Sequence, residues 1–360
     1  KNNAWDDFEP DTDWLEEKKS PSKVTKHFEQ RRNDRNGRRD DRRNDRGPPR
    51  QKQHKKEDND RKINMRALEG AGFVHLYGLA PVLNALKADR RDFTRPEDWI
   101  DIDELEGADL VQEQQQRDRK PEAQFSPWLF VQETRGTSRA RDKAARAAQV
   151  LELAEQVGVP VARVDKGVLN TLSGNRPHQG FVLRCGSLSF ESLSRLPAQG
   201  LWLALDEVMD PQNLGALIRS ASYLGKINLL VCAKNSAPPS PAVSAASAGA
   251  LEVADIYSTS NLPRTLTQAV EDGFRVIGAS SSLPEGDDEM KFYDLNDLPC
   301  TDGPTILVLG SEGHGLRNLV EKSCTELVRI PGSDDDDCGV DSLNVSVSGG
   351  ILMWHLVQKS

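Results

Sequence analysis

Long apolar runs are absent from this 360-residue sequence, in which 37% of the residues are hydrophobic. No run approaches the roughly 18–20 apolar residues that a membrane-spanning helix needs, so we expect a soluble chain with no membrane partner. The five cysteines are widely scattered, with no CxxC pair and no histidine nearby. This spacing predicts reduced thiols in a core and argues against a disulfide framework or a zinc site, and we expect no metal site.

Two nucleotide-binding patterns are missing as well. The glycine-rich stretch at 309–316 lacks the Lys-Ser/Thr pair of a Walker loop and does not follow the GxGxxG dinucleotide pattern. A nucleotide hydrolase and a dehydrogenase are therefore disfavoured. The glycines of this stretch still allow a sharp turn or a close approach to a ligand, and we interpret His314 as a loop residue rather than a base.

Charge is distributed unevenly along the chain. The formal net charge is −9, yet residues 23–56 hold 14 Lys and Arg against 5 Asp and Glu. Residues 1–65 are polar and have few aliphatic side chains, so they cannot bury enough apolar surface to offset backbone entropy, and we predict a disordered tail. Two interpretations of the tail stay open, a solvated spacer and an electrostatic arm that helps to hold RNA phosphates.

A small α/β unit is predicted after the tail. Its strands are expected at 73–77, 127–131, 159–164 and 181–185, and its helical segments at 81–88, 144–157 and 168–172. Residues 90–126 interrupt this pattern with charges and a glutamine run, which indicates an inserted loop. Residues 191–200 form the expected linker to a second domain at 201–360.

Strand–helix alternation is regular in the second domain. Strands are expected at 201–208, 227–232, 275–279, 305–309 and 327–330, with helices at 214–224, 241–250, 262–272, 316–323 and 342–357. Continuous apolar strands that alternate with helices predict an α/β fold whose parallel sheet is covered on both faces.

Polar side chains follow three of these strands. Asn213 precedes a helix that carries Arg219, although an N-cap and a surface arginine explain the two residues equally simply. The last strand stops at Pro331, which lacks the amide that a strand ladder needs. We expect Ser342 to cap the last helix and Asn344 to follow within its first turn. Strand ends that meet helix N-termini are common ligand sites in α/β proteins.

Three motifs in this domain resemble those of the SpoU/TrmH branch of the SPOUT superfamily, the RNA ribose 2'-O-methyltransferases. The first is Asp210–Pro211–x–Asn213–x–Gly215–Ala216–x–x–Arg219, the second is Gly310–Ser311–Glu312–Gly313, and the third is Ile330–Pro331 followed by Ser342–Leu343–Asn344–Val345–Ser346. Upstream, His75–Leu76–Tyr77–Gly78 and His178–Gln179–Gly180 look like the edges of the family's small N-terminal domain.

The resemblance implies a C-terminal domain tied in a deep trefoil knot and a small ribosomal-protein-like RNA-binding domain at 73–190. It also implies S-adenosylmethionine as methyl donor and a homodimer whose active site draws on both subunits. The catalytic set would be Asn213, Arg219, Glu312, Ser342 and Asn344. The cofactor would contact Leu309, Gly310, Ile330, Pro331 and Leu343, largely through the backbone.

The chemistry suits these residue types, since a ribose hydroxyl must be aimed at the methyl group and lose its proton. A free guanidinium holds its proton far above neutral pH, so we expect Arg219 chiefly to orient the hydroxyl and a neighbouring phosphate. Glu312 could orient Arg219 or Asn213, and Ser342 and Asn344 could fix the ribose or the cofactor loop.

The long tail and the insertion look most like fungal mitochondrial members of the family, which implies a guanosine of large-subunit ribosomal RNA as substrate and the mitochondrial matrix as compartment. A transfer-RNA ribose methyltransferase and a catalytically silent ribosome-assembly factor are the alternatives. One departure from the family is the link between Pro331 and Ser342, which is about four residues longer and contains four successive aspartates at 334–337. We expect this acidic loop to be a harmless insertion that bulges into solvent.

Overall fold

A computed structural model describes residues 72–93, 127–133, 141–225, 227–283, 290–300, 303–332 and 342–359. The predicted tail at 1–65, most of the insertion at 90–126 and the acidic loop at 334–337 lie outside the described residues. None of the helices in the described part is long and apolar enough to cross a bilayer.

The first sheet has four strands in the order β1-β4-β2-β3, and β4 runs antiparallel to both of its neighbours. Its elements are β1 (Phe73–Tyr77), α1 (Leu79–Ala88), β2 (Trp128–Gln132), α2 (Arg141–Gln156), β3 (Val161–Val164), α3 (Lys166–Leu172) and β4 (Phe181–Gly186). Helices α1 and α2 share an apolar core with Leu76, Leu129 and Leu183 on one face of the sheet. Helix α3 packs on the other face, against Tyr77 and Val182. All seven predicted elements are therefore present, with ends that differ by a few residues.

The second sheet has eight strands, and every pairing in it is parallel. The strand order is β10-β12-β9-β11-β6-β7-β8-β5. The strands are β5 (Glu191–Ser192), β6 (Leu201–Leu205), β7 (Asn228–Cys232), β8 (Ile256–Thr259), β9 (Arg275–Ala279), β10 (Lys291–Asp294), β11 (Thr305–Leu309) and β12 (Glu326–Arg329), and the helices are α4 (Pro211–Gly225), α5 (Pro241–Ala246), α6 (Leu262–Glu271), α7 (Asn318–Glu321) and α8 (Val345–Lys359). Separate apolar cores lie on the two faces of the sheet, as expected for a buried parallel sheet. The α/β fold class is confirmed, and the knot stays a prediction.

Three strands of the large sheet escaped the sequence analysis because they lack a continuous apolar run. Strand β8 carries three hydroxyl residues in four, and β10 is an edge strand with a charge at each end. The two-residue strand β5 lies within the segment that we predicted as a linker, where it pairs with β8.

Two predicted helices are shorter than expected. The helix predicted at 241–250 ends at Ala246, since Ala248 and Gly249 adopt positive φ angles before a 3-10 turn at Ala250–Glu252. The helix predicted at 316–323 is only Asn318–Glu321.

A buried ion pair joins the small and large domains. Arg91, just after α1, donates from Nε and Nη2 to the Glu252 carboxylate at 2.7 and 2.9 Å, and both side chains are 0–1% exposed. The Ser244 hydroxyl donates to the same carboxylate at 2.6 Å. Nearby, a Cβ on Gly249 would lie 2.7 Å from the Ala80 carbonyl oxygen, so only glycine permits this approach. The two domains are thus packed closely around a fully paired charge.

The cysteine prediction holds only in part. Cys185, Cys232 and Cys324 are buried free thiols, and burial raises the pKa of Cys185 and Cys324 to about 12. Cys300 is exposed, so the expectation of a core thiol is wrong there. It lies in the irregular segment before β11, where no strand or helix draws it inward. Cys338 is outside the described residues.

Candidate active site

Parallel pairing brings the first two motifs to one edge of the large sheet. Leu205 and Leu309 are partners at the ends of β6 and β11, so the segments that follow these strands leave the sheet side by side. Helix α4 begins six residues after β6, and the glycine-rich loop follows β11 directly. Helix α8 packs against α4 through Gly349, where a Cβ would lie 2.4 Å from Leu217. Three distant segments therefore meet at this edge.

A cluster of amide and carboxylate groups forms where they meet, and we call Asn213, Glu312 and Asn344 the amide–carboxylate cluster. The Asn213 amide donates to Glu312 Oε1 at 2.6 Å. The Asn344 amide donates to the same Glu312 oxygen and, at 3.1 Å, to Asn213 Oδ1. One carboxylate oxygen thus accepts from two amides, which fixes the orientation of all three side chains.

Asn213 does not cap α4, so the simpler explanation of this residue is wrong. The Asp210 carboxylate accepts from the Gln212 amide at 3.0 Å, and its carbonyl accepts from Leu214. Asn213 lies within the first turn and is 7% exposed. Its side chain is thereby free to bind Glu312.

The predicted cap of the last helix is also wrong. Helix α8 begins at Val345, and Asn344 Oδ1 accepts from the Ser346 amide at 2.9 Å and from its hydroxyl at 2.6 Å. Asn344 therefore caps the helix, while exposed Ser342 lies two residues earlier. An asparagine caps as well as a serine does, and the sequence offered both.

The loop that carries Glu312 is tightly closed. Ser311 and Gly315 exchange backbone hydrogen bonds of 2.9 and 3.0 Å. A Cβ on Gly310 would lie 2.1 Å from the Gly315 carbonyl carbon, so position 310 admits only glycine. His314 is exposed at the tip of this loop.

An ion pair between Asp206, which follows β6, and Arg317, which follows the glycine-rich loop, anchors the C-terminal end of that loop. The sequence analysis missed both residues. Asp206 is 0% exposed and accepts from the Arg317 Nε at 2.8 Å, its Nη2 at 2.6 Å and its backbone amide at 3.0 Å. These hydrogen bonds and the Asp206 charge raise the pKa of Arg317. An aspartate directly after an apolar strand was the available signal, because a buried carboxylate needs a cation.

Arg219 stands apart from the amide–carboxylate cluster. It is exposed on α4, six residues after Asn213, and its side chain makes no hydrogen bond or ion pair within the part of the chain that the structure describes. Six residues of α-helix rise about 9 Å, which accounts for the separation. The structure thus brings together three of the five predicted catalytic residues and leaves this guanidinium available to another group.

The predicted cofactor residues line the same edge of the sheet. Leu309 and Gly310 end β11, whereas Ile330 and Pro331 follow β12, and strand β9 lies between them. Leu343 is 49% exposed beside Asn344. In the described residues, no group of three His, Cys, Asp or Glu side chains is arranged to hold a metal ion.

Two family models match the chain. Residues 200–354 match the SpoU rRNA Methylase family, and residues 130–190 match the model for RNA 2'-O ribose methyltransferase substrate binding. The first match covers all three motifs of the large domain, and the second covers the small one from β2 to its end, without β1 and α1.

Curated relatives point the same way. The chain is 38% identical over 232 residues to "rRNA methyltransferase 1, mitochondrial" of Schizosaccharomyces pombe, covering 56% of this chain and 76% of that protein. It is 36% identical to the human protein of the same name, covering 59% of this chain but only 63% of the human one. A Burkholderia "23S rRNA (guanosine-2'-O-)-methyltransferase RlmB" is 35% identical, with 60% of this chain and 84% of the relative covered.

Solved structures share the fold. An AdoMet-bound rRNA methyltransferase from Sinorhizobium meliloti superposes with a TM-score of 0.55, covering 82% of this chain and 90% of that one. The two are 17% identical, so this likeness concerns the architecture alone.

Proposed function

The chain belongs to the SpoU rRNA methylase family, and we propose that it methylates the 2'-hydroxyl of a ribose in RNA. The resemblance of its three motifs to this family is confirmed by the match over residues 200–354. The observation that carries the proposal is the amide–carboxylate cluster, because Asn213, Glu312 and Asn344 come from three different motifs and bind one another.

The methyl donor is S-adenosylmethionine, which supplies an electrophilic methyl group on a sulfonium sulfur. The residues at the sheet edge suit such a ligand. Half-buried Ile330 and exposed Leu343 offer apolar surface next to backbone at the strand ends, and these features can hold a flat heterocycle with polar edges. We assign Leu309, Gly310, Ile330, Pro331 and Leu343 to this role.

The chain's own polar residues orient the ribose. Arg219 carries an exposed guanidinium with five donors, which can bind the hydroxyl oxygen and an adjacent phosphate together. Glu312 holds the amides of Asn213 and Asn344, and Ser342 lies beside them on the same segment. The hydroxyl is thereby aimed before it loses its proton, and orientation alone contributes a large part of such a rate enhancement.

A guanosine of mitochondrial large-subunit ribosomal RNA is the substrate that we propose. The support is similarity to relatives whose names specify mitochondrial rRNA and a 23S rRNA guanosine. As part of the proposal we place the protein in mitochondria, which the names of two of these relatives support, and specifically in the matrix.

We also propose a homodimer whose two active sites draw on both subunits. Val347, Ile351 and Trp354 lie at i, i+4 and i+7 on α8 and are 49%, 37% and 56% exposed, so they form one apolar stripe. Arg219 has no partner in the described part of its own chain, which leaves it available to a second copy. A Trp354→Glu variant should sediment as a monomer; a dimer of unchanged affinity would exclude this stripe as the interface.

Mapping ribose methylation across total RNA, with and without the protein, tests the proposed function. The expected result is loss of one guanosine methylation in mitochondrial large-subunit rRNA. Titration with S-adenosylmethionine separates this function from that of a silent assembly factor, since a silent factor need not bind the cofactor. Loss of a transfer-RNA methylation instead, or of none, would overturn the proposed substrate.

The Arg219→Ala variant tests the catalytic assignment. Loss of an orienting and charge-stabilising group should lower kcat by about 10²-fold or more while the fold is kept, because the side chain is exposed. Single-turnover methyl transfer measures the effect. Methylation at near wild-type kcat would show that Arg219 has no central role.

A further inference from the structure

A strained loop of the small domain, residues 173–180, has no role in the chemistry described above. Four of its residues, Gly174, Asn175, Gln179 and Gly180, have φ between 54° and 95°. Asn175 and Gln179 are not glycines, and left-handed backbone costs such residues of the order of 1 kcal/mol. Strain of this kind persists only where surrounding contacts enforce it, and it is concentrated at functional sites.

A network of hydrogen bonds enforces this conformation. His178 is 5% exposed, and its Nδ1 accepts from the Gly180 amide at 3.0 Å while Nε2 lies 3.1 Å from Asn170 Oδ1. Burial, together with the charge of Lys166, lowers the pKa of His178, which keeps the ring neutral and able to accept. The Ser173 hydroxyl donates to the Arg176 carbonyl at 3.0 Å. The loop is therefore rigid before any ligand arrives.

Arg176 is the side chain that this loop presents. It is exposed, yet its Nη1 donates to the Tyr77 hydroxyl at 3.2 Å and its guanidinium lies 5.7 Å from the centre of the Tyr77 ring. Tyr77 itself is 6% exposed. The guanidinium thus lies over a fixed aromatic ring and is bound to its hydroxyl, while the residue as a whole remains exposed. This arrangement lowers the entropy that the arginine would lose on binding an anion.

The loop is coupled to the large domain through short contacts. Gln179 Oε1 accepts from the Leu79 amide at 3.0 Å and so binds the start of α1. Helix α1 contacts the large domain, since the Asn84 amide donates to the Gly249 carbonyl at 3.1 Å. Tyr77 also packs near Ala245 of α5.

Helix α5 packs against α4, the helix that carries Asn213. A Cβ on Gly215 would lie 2.4 Å from Ala246 Cβ, so α4 and α5 touch at this point. Gly215 is two residues from Asn213. Arg176 is therefore held in a fixed relation to the amide–carboxylate cluster, through packed elements rather than a flexible linker.

A second cation, Lys166, lies close to the loop. Lys166 is exposed close to His178, and the neighbouring Asp165 carboxylate is occupied by the amides of Gly167 and Val168 at 2.6 and 3.1 Å. On the basis of the proposed function, we propose that Arg176, stacked on Tyr77 by the strained loop, binds a backbone phosphate of the RNA substrate and sets the distance from that phosphate to the reacting ribose.

Salt-dependent RNA binding tests this assignment. The probe is in-vitro-transcribed mitochondrial large-subunit rRNA, and affinity is measured at several KCl concentrations for the wild type and for Arg176→Ala. Loss of one phosphate contact should reduce the slope of log affinity against log salt by about 0.7–0.9. Affinity at low salt should fall about tenfold or more, as expected for a charged hydrogen bond. KM for RNA should rise, and kcat should fall by a smaller factor, because the contact both binds and positions the RNA.

Arg163→Ala is the matched control. Arg163 is an exposed arginine of the same domain. Its neighbour on β3, Val164, packs in the core on the α3 side of the sheet. Because successive side chains of a strand point to opposite faces, Arg163 lies on the face away from α3. Its removal should leave the salt slope and KM nearly unchanged. Arg176→Lys should keep most of the salt slope but bind less tightly, since an ammonium cannot stack on the ring.

The possible outcomes separate this inference from the proposed function. A wild-type protein that methylates the RNA, with Arg176→Ala unchanged in slope and KM, would overturn the phosphate contact and leave the function intact. Equal losses from Arg176→Ala and Arg163→Ala would also overturn it, because they would indicate diffuse surface charge. A wild-type protein that binds the RNA through Arg176 but transfers no methyl group would contradict the function alone.

Discussion

Two polar networks of this molecule are built in opposite ways. The amide–carboxylate cluster joins residues that are 32, 99 and 131 positions apart, so it exists only when the large domain is folded. The 173–180 loop is held mainly by hydrogen bonds between residues two to eight positions apart. The first network joins exposed Glu312 and Asn344 to buried Asn213, and none of the three has a positive φ. The second is strained and surrounds buried His178. We expect damage to the first to appear in the reaction rate, and damage to the second in stability and RNA affinity.

The largest effect on stability is expected at the ion pair between the small and large domains, which carry the two networks. Glu252→Ala leaves the Arg91 guanidinium buried without its partner, which should lower the free energy of unfolding by about 3–5 kcal/mol. Urea denaturation measures it. Replacing both partners with apolar side chains, as in Arg91→Met with Glu252→Leu, should restore much of the loss, since no uncompensated charge remains.

Asp272→Ala is the control for that variant. It breaks an ion pair with Arg195, whose side chain is 71% exposed, so the denaturation midpoint should stay close to that of the wild type. Equal destabilisation by the two substitutions would contradict the expectation that the buried Arg91–Glu252 pair between the domains matters more for stability than the exposed one.

The contribution of the amide–carboxylate cluster to kcat is tested at Glu312. Glu312→Ala removes the oxygen that accepts from both Asn213 and Asn344, and kcat should fall about 10²-fold, equivalent to about 2.7 kcal/mol. Glu312 is exposed, so the loss of stability should be limited to about 1–3 kcal/mol, the cost of leaving the buried Asn213 amide without its acceptor. His314→Ala, two residues away at the tip of the same loop, is the control and should keep its activity. A Glu312→Ala enzyme of lowered stability and normal kcat would show that the cluster is structural only, and normal values of both would show that it has neither role.

Acid should affect the small domain through His75. Burial, together with the charge of Arg184, lowers the pKa of His75 to about 3, and the neutral ring accepts from Arg184 Nε at 3.0 Å. Below the ordinary histidine pKa of about 6.5, the unfolded chain binds a proton that the folded chain does not. Stability should therefore fall as the pH is lowered from about 6.5 toward 3, by about 1.4 kcal/mol per pH unit from this group.

The His75→Gln variant isolates that contribution. Its free energy of unfolding, measured by urea denaturation between pH 7.5 and 5.5, should depend less on pH than that of the wild type. His314→Gln removes an exposed imidazole instead and should retain the wild-type slope. Identical slopes for the wild type and His75→Gln would show that the acid sensitivity arises elsewhere.

The contrast between the networks also explains what the sequence could predict. Apolar runs located most strands and helices, and three spaced motifs identified Asn213, Glu312 and Asn344. Their mutual contacts could not be predicted, because they depend on strand order, and the order β12-β9-β11-β6 follows from no local pattern. Asp206 was missed for the same reason, since its partner Arg317 is 111 positions away. Residues 173–180 were left between a predicted helical segment and a predicted strand, and their strain could not be predicted because it depends on hydrogen bonds to α1 and α3.

The smallest predicted effect concerns Gln179, where capping and strain oppose each other. Gln179→Ala removes the acceptor for the first amide of α1 but keeps a side chain at φ 54°, so the free energy of unfolding should fall by about 1 kcal/mol. Gln179→Gly also removes the cap, yet it relieves the left-handed strain and should be less destabilised than the alanine variant.

Gln156→Ala, at an exposed site on α2, is the control and should be close to neutral. Denaturation and methyl-transfer rates of the three variants decide the comparison. A loss of kcat in Gln179→Ala without a loss of stability would assign this loop to the reaction itself, and the division between a rate-setting cluster and a stability-setting loop would then be wrong.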